Sequence, residues 1–288
     1  MALDDAEYGC PLWNSDGDPV QIEGRFLGIY DAEACLLEFP LGPGLLPVVI
    51  RQREEEEEMA TARFVWIAAT CLCNFFVRTL YTPAVEEPCT LSAVELGAGT
   101  GICSAALARC LGSAGSVLAT DLQIALPLIE DTVRSNGLEG QVRCSELDWL
   151  SESEPACLAA ADLVFGADVT WSGALLPHLL GLLRFACARR AVGLLAVEHR
   201  GARSAEFESV LSGYMDEAGV AWAALPEHLW SSQDEPDDAV DGWDGSIYLI
   251  SRPGSPVLRM RAFAKLVRQL GPALDMLLGA CERSASAG

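Results

Sequence analysis

Lysine is almost absent from this 288-residue chain: Lys265 is the only one, and the other side chains counted as basic are arginines. Acidic residues outnumber Lys and Arg by 41 to 19, which gives a formal net charge of −22. No cluster of basic residues stands out along the sequence, so a nucleic-acid backbone would be repelled. The composition argues against a nucleic-acid partner and favours a protein or peptide with a basic surface.

Histidine is also scarce, and His178, His199 and His228 are far apart in the sequence. The eleven cysteines include no C-x-x-C pair and are scattered through apolar segments. Metal sites are built from closely spaced Cys and His, so we expect no metal. We interpret the cysteines as small buried side chains of a reducing compartment, which we expect to be the cytoplasm or else the nucleus.

Long uninterrupted apolar runs are missing as well. Residues 175–197 are apolar, but His178, Arg184 and two further arginines interrupt them, so we expect no membrane span. The first residues, Met-Ala-Leu-Asp-Asp, lack the basic and apolar stretches of a signal peptide. Hydrophobic residues still make up 51% of the chain and charged residues 21%, so it can bury a core. We expect a globular protein and a monomer.

The most informative segment is an apolar strand that carries Glu95 and runs into three alternating glycines, Gly97, Gly99 and Gly101. Glycine tolerates positive φ and has no Cβ, so such a turn can bring the main chain against a ligand. In the G-x-G-x-x-G turn of dinucleotide sites the third glycine comes one residue later, so NAD is disfavoured. A second strand ends in Asp121, where doubly wound folds place the acid that binds ribose hydroxyls. This pattern resembles the S-adenosylmethionine motif of class I methyltransferases.

Strand and helix patterns alternate through most of the chain, which predicts an α/β fold. The expected strands are 92–96, 117–120, 141–144, 162–166, 191–197, 220–224 and 246–250, the last two forming an antiparallel pair across an acidic loop at 231–244. The expected helices are one from Met59 to the prolines at 83–88, then 102–109, 122–135, 175–190, 204–218 and 257–281.

Three regions are expected on this basis. Residues 1–58 form a small β-rich segment with short strands at 20–24, 25–30 and 47–50, separated by Gly and Pro turns and followed by the acidic run 54–58. Residues 59–250 form the cofactor-binding domain. Residues 251–288 form a helical extension and a Ser/Ala tail.

Two acid–aromatic pairs follow strands of the expected sheet, at the edge where open α/β sheets bind ligands. After the third strand, the Trp149 ring could cover adenine while Asp148 accepts from its amino group. The alternative is a Trp that merely covers the sheet edge. After the fourth strand, Asp168 could hold an amine whose positive charge lies on the face of Trp171. The alternative there is an Asp168 N-cap with Trp171 in the first helical turn.

Together these segments resemble methyltransferase family 16, a group of seven-β-strand class I protein methyltransferases that includes many lysine and at least one histidine methyltransferase. The similarity covers 64–250. It rests on Phe64-Val-Trp66, Val-Glu95-Leu-Gly97-Ala-Gly99-Thr-Gly101, Thr-Asp121-Leu122, Glu-Leu-Asp148-Trp149, Gly-Ala167-Asp168-Val-Thr-Trp171 and Glu198-His-Arg200. The resemblance implies a Rossmann-like seven-stranded sheet with helices on both faces.

The resemblance also implies S-adenosyl-L-methionine as the cofactor and assigns residues to it. The implied cofactor-binding residues are Trp66, Glu95, Gly97, Gly99, Gly101, Asp121, Leu122, Asp148, Trp149 and Ala167, with Trp66 on the methionine or substrate side. Asp168 and Trp171 are the implied catalytic residues, facing the acceptor. The family normally has Asp-x-x-Tyr at this point, whereas the indole of Trp171 can donate only from nitrogen, a difference that bears on acceptor size and activity.

The expected function is S-adenosylmethionine-dependent N-methylation of a protein, with lysine as the acceptor. DNA and RNA bases are less suitable acceptors, because enzymes that modify their amino groups usually have two prolines where this chain has Val169-Thr170. Three alternatives stay open: a non-catalytic interaction module on the same scaffold, a histidine methyltransferase, and a small-molecule methyltransferase.

Overall fold

The computed structural model describes residues 28–29, 36–51, 62–81, 90–151, 154–170, 172–199, 203–231 and 243–270. The strands in these ranges are β1 Gly28–Ile29, β2 Leu36–Phe39, β3 Val48–Arg51, β4 Val65–Trp66, β5 Ser92–Leu96, β6 Ser116–Asp121, β7 Val142–Glu146, β8 Leu163–Ala167, β9 Val192–Glu198, β10 Ala221–Ala224 and β11 Gly245–Ser251. The helices are α1 Ile67–Thr79, α2 Ile102–Leu111, α3 Leu126–Ser135, α4 Ala156–Ala159, α5 Leu176–Arg189, α6 Arg203–Asp216 and α7 Ala264–Leu270.

Seven of these strands form one sheet in the order β10-β11-β9-β8-β5-β6-β7. Strands β5 to β9 are parallel, and β11 lies antiparallel between β9 and β10. The chain therefore builds the sheet outward from β5 through β6 to β7 and then returns to β8 on the other side. Such a reversal leaves a crevice outside the carboxyl ends of the strands, where ligands of open α/β sheets bind.

The central strands are buried on both faces, which explains their continuous apolar sequences. Strand β8 reads LVFGA, and its first four residues are buried. Helices α1, α2 and α3 contribute to the hydrophobic layer on one face. Helices α5 and α6 contribute to the layer on the other face. This arrangement confirms the predicted α/β fold, a seven-stranded sheet with helices on both faces.

The hairpin formed by β2 and β3 packs on the main sheet layer through Val48 and Ile50, which are buried in the same cluster as α1 and α2. Asn136, at the end of α3, fixes it further: its Oδ1 accepts from the Val49 N–H at 2.9 Å, and its Nδ2 donates to the Val49 carbonyl at 2.7 Å. Phe263 and Leu266, near and in α7, belong to the same cluster. Both flanking segments thus share the core of the central sheet.

Three helices begin later than the sequence pattern predicted. Helix α1 begins at Ile67 rather than at Met59, because Val65–Trp66 is extended and pairs with β1. The predicted helix at 122–135 begins at Leu126, after a 3-10 turn at Gln123–Ala125. Its second residue is a proline, which is favoured in the first turn of a helix.

The predicted C-terminal helix at 257–281 was also placed too early. Two 3-10 turns, Pro256–Arg259 and Arg261–Phe263, precede α7, and the extended Met260 between them, with ψ of 149°, prevents one continuous helix. The remainder of that prediction, beyond residue 270, lies outside the described residues, as do the predicted strand at 20–24, the acidic run 54–58, most of the acidic loop 231–244, Trp171 and Arg200.

Within the part of the chain that the structure describes, no helix combines the length and apolar character needed to cross a membrane. The same described residues contain no group of three or more His, Cys, Asp or Glu side chains placed to hold a metal ion.

Candidate functional site

A cavity of about 240 Å³ opens at the carboxyl ends of β5, β6 and β8. Of the residues predicted to bind cofactor or acceptor, those that line it are Trp66, Glu95, Gly97, Gly99, Asp121, Leu122, Asp148, Trp149, Ala167 and Asp168. Gly101 does not line the cavity, and Trp171 lies outside the described residues. The fold thus brings together residues from five separate sequence motifs.

The first two glycines of the turn leave room that any side chain would fill. Gly97 has a φ of +66°, and a Cβ there would lie 2.8 Å from Cγ1 of Val169 and 3.3 Å from Cζ2 of Trp149. Gly99 has a φ of +54°, and its Cβ would lie 3.2 Å from the Ala62 carbonyl oxygen. Both positions therefore require glycine for conformation and for space, and both expose main chain to the cavity.

Gly101 has a structural role in the turn. It precedes the first residue of α2 with a φ of +78°, and a Cβ there would lie 3.1 Å from Cγ2 of Ile129 in α3. Its N–H donates to the Ala98 carbonyl at 2.7 Å. The third glycine thus closes the turn and lets α2 approach α3, rather than facing the predicted cofactor.

Glu95, in β5, is only 2% exposed, and its carboxyl lies against the first turn of α2. Its Oε2 accepts from the Ser104 N–H at 3.0 Å and from the Ser104 hydroxyl. Burial raises the pKa of Glu95 to about 8, and the hydrogen bonds from Ser104 oppose that rise. The carboxyl takes up an N–H of the first helical turn, the group that would otherwise attract an anionic ligand.

Asp121 braces the turn from the neighbouring strand. Its Oδ2 accepts from the Gly99 N–H at 2.8 Å, and its Oδ1 accepts from the Leu122 N–H at 2.8 Å. Burial raises the pKa of Asp121, while these two hydrogen bonds oppose the rise. Each carboxylate oxygen can accept a further hydrogen bond, so Asp121 can hold ribose hydroxyls while it fixes the turn.

The segment after β7 supplies a flat apolar wall with a carboxylate beside it. Trp149 lies against Gly97 and packs on the hydrophobic layer of α5 and α6. Oδ1 of Asp148 accepts from the Leu150 N–H at 2.9 Å. Leu122 and Leu150 line the cavity although they are 50% and 61% exposed. An adenine ring suits such a slot, since its faces are apolar and its amino group is a donor.

Asp168 follows β8 in an unusual conformation. Its φ is +51°, the one positive value among the described non-glycine residues. The residue is buried, and its N–H donates to the Ala196 carbonyl at 2.8 Å. Helix α5 begins only at Leu176, so Asp168 is not its N-cap. A strained residue at a ligand-binding edge points to a functional role for its side chain.

The charge of the cavity is one-sided. Three aspartates line it, Asp121, Asp148 and Asp168, together with Glu95, whose raised pKa leaves it largely uncharged at pH 7. None of the described lining residues is Lys, Arg or His. Such a lining favours a cationic ligand over an anionic one. S-adenosylmethionine, with a sulfonium, an ammonium and an adenosine, fits these residues, and a pyrophosphate does not.

Several lining residues were not identified from the sequence: Ala62, Phe64, Ala69, Ala98, Thr100, Ile102, Cys103, Leu147, Leu150, Val169 and Leu175. Most are neighbours of motif residues and carry no chemical signal of their own. Phe64 is the exception, because it packs beside Trp66 with ring centroids 5.8 Å apart and belongs to the same aromatic motif. Ala62, Ala69 and Leu175 reach the cavity only through the packing of α1 and the approach to α5.

The family model described as lysine methyltransferase matches residues 47–213, more than half of this chain. The mouse (Mus musculus) protein named EEF1A lysine methyltransferase 3 is 35% identical over 149 residues, and the match covers 51% of this chain and 60% of that protein. Mouse protein N-lysine methyltransferase METTL21A is 33% identical over 166 residues, covering 56% of this chain and 72% of that protein.

Among solved structures, mitomycin 7-O-methyltransferase MmcR aligns with a TM-score of 0.45 at 15% identity, over 65% of this chain and 54% of that one. That likeness is too distant to inform the site.

Proposed function

Since the chain belongs to the lysine methyltransferase family, whose cofactor is S-adenosylmethionine, we propose that it methylates a lysine side chain of another protein. One observation carries the proposal: the acidic cavity places Asp168 at the same sheet edge as the glycine turn of Gly97 and Gly99. Cofactor and acceptor can therefore meet at the carboxyl end of β8.

When bound, S-adenosylmethionine would supply the methyl group, which the acceptor nitrogen would take by in-line displacement with S-adenosylhomocysteine as the leaving product. The residues of this chain bind and align the two partners. Gly97 and Gly99 would admit the cofactor to the main chain, Asp121 would hold the ribose, and Asp148 with Trp149 would hold the adenine. Trp66 would lie on the methionine side, and Ala167 would also contact the cofactor.

Asp168 acts on the acceptor. With a reference pKa of about 10.4, roughly one lysine in 2,500 is neutral at pH 7, so the amine must lose a proton before it attacks. A closed site beside a sulfonium favours that loss by desolvation and charge repulsion. The carboxylate of Asp168 accepts a hydrogen bond from the amine, orients its lone pair and passes the released proton to water. Trp171 is proposed to add an aromatic face to the acceptor.

The acceptor protein is proposed to have a basic surface, because the chain carries a net charge of −22. For the same reason we propose no nucleic-acid partner. The seven cysteines of the described residues are free and are buried or partly buried, which supports a reducing compartment, the cytoplasm or the nucleus. A monomer is the proposed state in solution.

The experiment that tests this proposal uses labelled S-adenosylmethionine and a proteome from hypomethylated cells. Wild type is compared with Asp168→Ala and with Asp216→Ala, a matched change at an exposed helix position. All three are made with Lys265→Arg, which removes the sole lysine and hence automethylation on lysine. Wild type and Asp216→Ala should label a discrete band as methyl-lysine. Asp168→Ala should reduce the label about a hundredfold or more, as loss of an aligning group does.

Other outcomes identify the alternatives. Cofactor binding without transfer to any protein or metabolite would indicate a non-catalytic module. Label recovered as methyl-histidine, or in the small-molecule fraction, would replace lysine as the acceptor. Equal labelling by Asp168→Ala and wild type would remove Asp168 from the mechanism.

A further inference from the structure

Val169, the residue after Asp168, is seated between two glycines. It is 5% exposed, and its Cγ1 lies 2.8 Å from where a Cβ on Gly97 would be. Its Cγ2 lies 3.0 Å from where a Cβ on Gly166 would be. Real Cβ atoms are rarely that close to a neighbour, so the valine occupies space that is available only because both positions are glycine.

The packing of Val169 between Gly97 and Gly166, here called the seat of Val169, connects the cofactor side of the site to the acceptor side. Gly97 lines the cavity and also touches Trp149, so it is where main chain meets the predicted cofactor. Asp168 has a φ of +51°, and this turn is what sends the following valine back over the ends of β5 and β8. Val169 therefore packs against the glycine turn and is also bonded directly to Asp168, the residue that carries the acceptor carboxylate.

We infer that Val169 is a positioning residue that couples cofactor binding at Gly97 to the placement of Asp168. A cofactor held against Gly97 and Trp149 fixes the seat, and the two γ-methyl groups of Val169 then hold the strained turn at Asp168. Without those methyl groups the turn can relax while the contacts of Gly97, Asp121 and Asp148 with the cofactor remain. The catalytic consequence rests on the proposed function, whereas the coupling itself does not require methyl transfer.

The coupling is tested by hydrogen–deuterium exchange with and without S-adenosylmethionine. The comparison is between Val169→Ala and Val164→Ala, which removes the same two methyl groups from the same hydrophobic cluster, in the body of β8. In wild type and Val164→Ala the cofactor should slow exchange of peptides covering 166–170. In Val169→Ala this protection should fall about fivefold or more, while exchange around Asp121 still slows. Equal protection in both variants would overturn the inference.

A second arm measures transfer. The kcat of Val169→Ala should fall about tenfold or more with cofactor affinity within about threefold of wild type, as expected when alignment is lost. Val169→Thr, which keeps the branched shape, should restore most of the rate. In an Asp168→Asn background, Val169→Ala should have little further effect, and an additive loss would contradict action through Asp168. A wild type that shows coupled protection but no transfer would overturn the proposed function and leave the coupling intact.

Discussion

At the scale of single residues, Glu95 has an unusually high pKa for a carboxyl group. It is buried, and burial raises its pKa from the usual 4.5 to about 8. The folded protein therefore binds a proton there that the unfolded chain releases at a lower pH. This side chain contributes stability that is fully present below about pH 4.5 and is lost as the pH rises towards 8.

Glu95→Gln should remove that pH dependence, because the amide keeps an oxygen that accepts from Ser104 but does not ionise. Each pKa unit corresponds to about 1.4 kcal/mol, so the wild-type free energy of unfolding should fall by several kcal/mol relative to the variant from about pH 4.5 to pH 8. Urea unfolding of the cofactor-free proteins across that range measures the difference. Glu130→Gln, at an exposed helix position, is the control. Parallel profiles of Glu95→Gln and wild type would show that Glu95 is not protonated in the fold.

At the scale of elements, the glycines before α2 have two different roles. Gly97 and Gly99 line the cavity, whereas the third glycine packs against α3. Gly101 has positive φ and lies close to Ile129, but it does not line the cavity. Gly137 has a φ of +64° with nothing within 4 Å of its Cβ position, so it isolates the conformational cost alone. The two glycines form a matched pair.

Gly137→Ala should lower the free energy of unfolding by about 1 kcal/mol, the cost of positive φ for an L residue. Gly101→Ala should lower it by about 2–4 kcal/mol, because contact with Ile129 adds to that cost. Cofactor affinity of the folded Gly101→Ala protein should stay near the wild-type value, as titration calorimetry can measure. A large loss of affinity without a loss of stability would return Gly101 to the cofactor site.

The strands could be predicted from the sequence more closely than the starts of the helices. The central strands were predicted closely, because continuous apolar runs flanked by Gly and Asn are decided locally. The starts of α1 and α7 were missed, because pairing of β4 with β1 and the extended Met260 depend on the rest of the fold. In the site, Glu95 and Asp121 could be identified from spacing. The seat of Val169 and the conformation of Asp168 could not, since both arise where β5 and β8 become neighbours.

At the scale of the whole molecule, charge is the dominant property. A net charge of −22 surrounds a cavity that is itself lined by carboxylates, so local and global fields have the same sign. Such a field draws in basic partners and raises their association rate, and salt screens it within about 10 Å at 0.1 M.

For a basic acceptor protein, kcat/KM should therefore fall about tenfold or more between low salt and about 0.5 M salt, while kcat changes little. Steady-state kinetics at several salt concentrations measure both constants. A short neutral peptide carrying the same acceptor residue is the control, and its kcat/KM should be nearly independent of salt. Equal salt dependence for the two substrates would contradict steering by the net charge.

The Glu95 carboxyl at the first turn of α2 also has a consequence for selectivity in the cell. ATP, ADP and NAD share the adenosine half of the cofactor, and a site that read adenosine alone would be filled by these abundant nucleotides. In this protein the Glu95 carboxyl already accepts from the Ser104 N–H, one of the helix N-terminal groups with which other nucleotide sites bind phosphate. The adenine nucleotides should therefore be poor competitors of the cationic cofactor for this cavity.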